Sequence, residues 1–351
     1  GGKANDSMPQ GVVTGAGKYN VGRSIFENCV SCFLTTAGGN TEVGEIRCIN
    51  STDNGIYGLG GDLKVGDFYY ESIGDTGDEE PVVASNVDSL YIDSVTIVGR
   101  CSGVLNYENS GRIVINNVNL QADVPQDAAD FGSHVTTTLL SARNGNTTLG
   151  TDYISMNNVT GFCQIGIRTN SGRLRELNIR NVDVTFCRYP TGSPLNQWPV
   201  NPTNFNVWDT RGCDRVDLRD ITLTFKNFEV TTWPSGIISF FNHVFTEMSY
   251  IENLEVRAAE LDNSIADPAL QIRLGAPQQF LKFQDMYVDI VGGGNFQAVR
   301  VREGLYQKNS VPSVPTDGYF EVGQVLFNNS GSADVAYVCT VAGDPATFVT
   351  K

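Results

Sequence analysis

One six-residue pattern returns along this chain and restricts its fold more than any other feature: apolar, any, apolar, any, Asn or Asp, apolar. It stands as Leu63-x-Val65-x-Asp67-Phe68, Ile113-x-Ile115-x-Asn117-Val118, Ile154-x-Met156-x-Asn158-Val159 and Leu177-x-Ile179-x-Asn181-Val182. It returns as Val216-x-Leu218-x-Asp220-Ile221 and Leu281-x-Phe283-x-Asp285-Met286. With another residue at the corner it reads Leu90-x-Ile92-x-Ser94-Val95 and Leu254-x-Val256-x-Ala258-Ala259, and weaker copies precede these at Phe26-x-Asn28-Cys29 and Ile46-x-Cys48-Ile49. Alternating apolar residues mark a strand with one buried face. Asn or Asp then suits the tight bend that follows.

Taking the second apolar residue as marker gives 26, 46, 65, 92, 115, 156, 179, 218, 256 and 283, with successive differences of 20, 19, 27, 23, 41, 23, 39, 38 and 27. The short intervals fit one coil of a three-sided solenoid, and the long ones fit a coil carrying an insertion. Propeller blades of roughly 40–50 residues do not fit the short intervals, and the Leu/Asn signature of leucine-rich repeats is missing. One coil cannot bury its own apolar edge, so coils must stack around a shared interior. The expected fold is therefore all-β: a right-handed parallel β-helix of about ten coils over 1–306, with loop insertions at about 121–150, 188–212 and 226–249. Stacking places Asn117, Asn158 and Asn181 above one another as an amide ladder. Residues 307–317, with Pro312 and Pro315, read as a linker. Residues 318–351 read as three short strands forming a small C-terminal β module.

The chain carries 39 Asp+Glu against 24 Lys+Arg, a net charge of −15, and this excess would repel a phosphate backbone. Nucleic acid is excluded as a partner on that ground, and no apolar run is long enough for membrane insertion. Gly1-Gly2-Lys3-Ala4-Asn5 lacks an initiator Met and a signal core, so an upstream anchoring segment is expected. Eight cysteines recur roughly one per repeat, which suits buried thiols in an interior column better than facing disulfide pairs. Cys29-x-x-Cys32 has no second pair or His cluster for zinc, and neither a metal nor a cofactor is expected.

Gly318-Tyr319-Phe320 with Gly323-Gln324, followed by Tyr337-Val338-Cys339-Thr340-Val341-Ala342-Gly343-Asp344-Pro345, resembles the C-terminal β module of phage tail and tailspike proteins. The repeat resembles the pectin-lyase-like superfamily, to which phage tailspike depolymerases belong. The resemblance implies a homotrimeric spike of the virion tail, extracellular, that recognises bacterial surface polysaccharide. Polygalacturonase-like glycoside hydrolases of that superfamily use Asn-Thr-Asp-Gly, Gly-Asp-Asp, Gly-His-Gly and Arg-Ile-Lys. Here Ser51-Thr52-Asp53-Asn54-Gly55, Gly77-Asp78-Glu79 and Ile167-Arg168-Thr169 are similar, whereas Cys101-Ser102-Gly103 lacks the His and Thr169 replaces the Lys. The resemblance implies catalytic roles for Asp53, Asp78 and Arg168.

Hydrolysing a glycoside takes two carboxylates about 5–9.5 Å apart. The densest acidic run is Asp75-Thr76-Gly77-Asp78-Glu79-Glu80, where crowding would keep one carboxyl protonated, with Asp53 one coil earlier as a partner. The same run also reads as a solvated acidic turn. A second candidate is the insertion bearing Tyr189, Trp198 and Trp208, whose flat rings suit sugars, with Asp209 and Asp214 as the alternative acid pair. His134 and Arg143 come from another insertion and complete the expected substrate contacts. Three activities stay open: a glycoside hydrolase, a non-catalytic glycan-binding spike, and a lyase using a base such as His134.

Overall fold

Strands that alternate apolar and polar residues do stack as parallel coils in the computed structural model. It describes residues 12–35, 38–72, 79–128, 131–142, 150–169, 173–187, 206–210, 212–226, 236–239, 247–257, 272–273, 281–289, 299–305, 310–311, 314, 322, 325–328, 336–342 and 347–350. The fold is all-β, a parallel β-solenoid followed by a small separate sheet.

Three faces make up each coil. On the first, Val21, Val43, Val65, Ile92, Ile115, Met156, Ile179, Leu218, Ile251 and Phe283 stand in one parallel register. From Val43 to Ile251 every member of this column is buried. The second face carries a matching column from Ile46 through Phe68, Val95, Val118, Val159, Val182 and Ile221 to Leu254. The third face aligns Phe33, Ile56, Val82, Leu105, Leu140, Ile167, Trp208, Ile238 and Ile272. Each aliphatic side chain shut into such a column contributes about 1.5–3 kcal/mol.

The register corrects three of the sequence markers, because the true rungs are Val21, Val43 and Ile251 rather than 26, 46 and 256. Ser249 explains the last slip. It takes the inward position normally held by Leu or Ile, is fully buried, and accepts the Val216 N–H at 2.9 Å. Thr41 takes the same position in an early coil and is also buried. A buried hydroxyl with a bonding partner is tolerated, so the apolar pattern breaks while the strand continues. Corrected, the first two intervals are both 22 residues, 43 − 21 and 65 − 43.

The corner between the first and second faces is built in two ways. In later coils Asn117, Asn158, Asn181, Asp220 and Asn253 all have φ between 48° and 55°. Asn and Asp adopt this left-handed region more readily than other side-chain-bearing residues. The expected amide ladder forms there: Asn158 Nδ2 donates to Asn117 Oδ1 at 2.9 Å, and Asn181 Nδ2 to Asn158 Oδ1 at 2.7 Å. In the early coils glycines stack one position before the ladder residue, and a Cβ on Gly44 would stand 2.5 Å from the Gly22 carbonyl oxygen. Asn158→Ala is expected to cost about 2 kcal/mol through the disfavoured φ and two lost amide bonds. Asn158→Gly keeps the backbone conformation and should cost about 1 kcal/mol. Guanidinium unfolding midpoints measure both.

The expected insertions are not structureless. Each holds a third-face strand: Thr136–Ala142, Asn206–Asp209 and Gly236–Ser239. At the C-terminal end, Val299–Leu305 pairs antiparallel with Leu281–Asp289 and ends the parallel stack. Ser310–Val311, inside the stretch read as a linker, joins Val325–Asn328, Ala336–Val341 and Thr347–Thr350 in a four-stranded sheet. All eight cysteines are buried and none is in a disulfide, but they are spread over the faces rather than stacked in one column.

Candidate functional site

Asp53 and Glu79 each stand three residues before paired third-face residues, Ile56 and Val82, so they occupy adjacent rungs. Their surroundings differ from each other. Glu79 is 1% exposed, which rules out a solvated acidic turn at this residue and keeps its carboxyl from a polymer outside. Its main-chain carbonyl accepts both the N–H and the hydroxyl of Ser102 at 2.8 Å. Asp53 is half-buried, and its main-chain carbonyl accepts the Tyr70 hydroxyl at 2.7 Å. Asp75 and Asp78 lie outside the described residues.

The neighbourhood of Glu79 is interior. Burial pushes the Cys101 thiol up to about 12, the Glu79 charge adds to that, and the Thr136 hydroxyl opposes it. Burial also raises the Tyr70 phenol, with smaller contributions from Cys101 and Glu79. The stability consequence has a definite sign. A thiol whose folded pKa is raised contributes stability that is complete below the unfolded value of 9.0 and is lost as pH rises toward about 12. That window is worth about 4 kcal/mol for Cys101. Denaturant unfolding across alkaline pH should show this loss, and Cys101→Ser should remove the share that belongs to Cys101, leaving that of Tyr70 and Cys48.

A second line of register runs along the third face. Asn106, Ser141, Arg168, Asp209, Ser239 and Arg273 share it, alternating with the column of Leu105, Leu140 and Ile167. Arg168 and Asp209, singled out from different parts of the sequence, are direct neighbours across paired strands. Toward the N-terminal end this line is covered, for Val83 is fully buried and Asn106 is 5% exposed. Ser141 and Arg168 are half-exposed, so the accessible stretch begins there. Beside it, the Ser85 hydroxyl donates to Glu108 Oε1 at 2.5 Å. Sequence reading missed Ser141, and it missed Asn106 and Glu108 because their four-residue strand carries too few inward residues to show a period.

Trp208 stands in register with buried Ile167. Tyr189, Trp198 and Arg143 lie outside the described residues. His134 ends a 3-10 turn, Phe131–His134, and its Nδ1 is 2.7 Å from Asp123 Oδ1. Phe131 of that turn meets Phe162 edge-on at 4.9 Å and closes a small apolar cluster with Val135 and Cys187. This insertion is therefore folded down onto the solenoid, with His134 tied to a carboxylate. Asp214 pairs with Arg173 at 3.2 Å.

Among the described residues, no group of three His, Cys, Asp or Glu is placed to hold a metal ion, and no helix is long and apolar enough to cross a membrane. No known protein family, curated protein or solved structure matches this chain.

Proposed function

We propose that the chain is a phage-type tail spike that binds a bacterial surface polysaccharide along the outer side of its third face. The observation that carries this reading is the register of Ser141, Arg168 and Asp209. It places a serine, an arginine and an aspartate on consecutive rungs about 4.8 Å apart. A polymer of polar units suits such a row, and groups seated on strands are held more firmly than groups on loops. Binding by bulk charge is not available to a chain of net charge −15, so recognition rests on this local row. The proposal includes a homotrimer displayed on a virion tail, in keeping with the likeness of the C-terminal segment to phage tail modules.

Hydrolysis is the second reading, favoured by the pairing of Arg168 with Asp209. A carboxylate fixed on a rung can act as acid, base or nucleophile, and its partner, about 5–9.5 Å away, would be supplied by a neighbouring insertion. The test is incubation with capsule and lipopolysaccharide preparations, following binding and product chemistry together. Bound polymer that releases reducing ends without unsaturated-uronate absorbance means hydrolysis, and that absorbance means a lyase. Bound but intact polymer means a binding spike. Failure to retain any surface glycan would overturn the proposal.

A further inference from the structure

The Cys29-x-x-Cys32 motif has no partner in the sequence around it, but the fold brings it one. Cys48 lies on the next coil, opposite Phe26, while the Cys32 N–H donates to the Asn54 carbonyl of that same coil at 3.0 Å. Both sulfurs pack on one turn: Cys32 Sγ is 3.9 Å from the Ser51 hydroxyl, and Cys48 Sγ is 3.9 Å from the Gly55 carbonyl oxygen. Both side chains belong to one buried core cluster. Cys29 is disposed differently, its thiol directed to the Glu27 carbonyl at 3.6 Å. Cys101 and Cys213 give their protons to threonine hydroxyls at 3.5 Å.

We propose that Cys32 and Cys48 are a modification site, forming an intrachain disulfide that staples the first coil to the second when the protein meets a small-molecule disulfide. In the first exchange, the Cys32 thiolate attacks one sulfur of the reagent, forming a mixed disulfide and releasing one thiolate. The Cys48 thiolate then attacks Cys32 Sγ, forming the internal bond and releasing the second. Two protein thiols are oxidised, one reagent disulfide is reduced to two thiols, and these carry away both protons. Access comes through the first described coil. Val21 and Phe26 on the first rung are only partly buried, so this coil opens at a lower cost than those inside the stack. Burial, together with the neighbouring Cys32, raises the Cys48 thiol. Exchange therefore proceeds through that opening rather than in the closed coil.

The test exposes the whole chain to oxidised glutathione at a guanidinium concentration below its global unfolding transition. It is then unfolded, alkylated and weighed by intact mass spectrometry. Of the eight thiols, two are expected to be lost to alkylation, with no glutathione retained and both restored by a reductant. Cys29→Ser should still lose two alkylation sites, and Cys48→Ser should lose no such pair. Full alkylation of the oxidised wild type, or a peptide map joining Cys29 to Cys32, overturns the proposal.

Discussion

Gly161→Ala is expected to be the most damaging single-methyl change in the solenoid, lowering stability by about 4 kcal/mol or more. Gly161 sits on the second face between Leu120 and Val184 of the adjacent coils, a column otherwise filled by large side chains. Its φ is +112°, where side-chain-bearing residues rarely go. A Cβ there would also run into the Leu120 main-chain carbonyl, and a peptide hydrogen-bonded into a stack cannot swing aside as a flexible side chain can. Strain and collision therefore add. Gly22→Ala is the matched control, because its Cβ would meet nothing within 4 Å and its φ is not in the left-handed region. That change should stay within about 0.5 kcal/mol of the parent. Thermal melts read the difference directly. Equal effects at the two positions would mean that Gly161 is not clamped between coils.

The same contrast between clamped and open positions explains how far the sequence could be read. The first and second faces were legible because their residues obey two rules at once: inward positions are apolar, and the corner needs Asn or Asp. Met156 and Ile179, with Asn158 and Asn181 after them, satisfy both and were aligned correctly. Where a substitution satisfied only the backbone, as at Ser249 and Thr41, the register slipped. The third face was invisible for a different reason. Val82–Ser85 and Leu105–Glu108 have only two inward positions each, and no corner residue fixes their phase. The acidic run illustrates the limit for the site. Local sequence reads a crowded turn, but Glu79 turns into the interior beside Tyr70 and Cys101, a placement fixed by residues more than twenty positions later. Arg168 and Asp209 show the converse, because forty residues of insertion and strand separate them in sequence and one rung separates them in space.

Asp209→Asn is expected to abolish polymer cleavage while leaving binding largely intact, and Arg168→Ala is expected to weaken both. If Asp209 supplies acid, base or nucleophile, the isosteric amide removes that chemistry and keeps the shape, so turnover should fall by about 10²–10⁴-fold. Arg168 is its direct neighbour on the second line of the third face and half-exposed, so truncation also removes a fork of donors that can grip sugar hydroxyls or carboxylates. Its expected effect is a roughly tenfold loss of glycan affinity. The stability of both variants should match the parent within about 0.5 kcal/mol, since neither position belongs to the inward column. Polymer retention and reducing-end release, measured on the same samples, separate the roles. Asp209→Asn with full cleavage would remove this rung from catalysis. Arg168→Ala with unchanged retention would remove this rung from glycan binding.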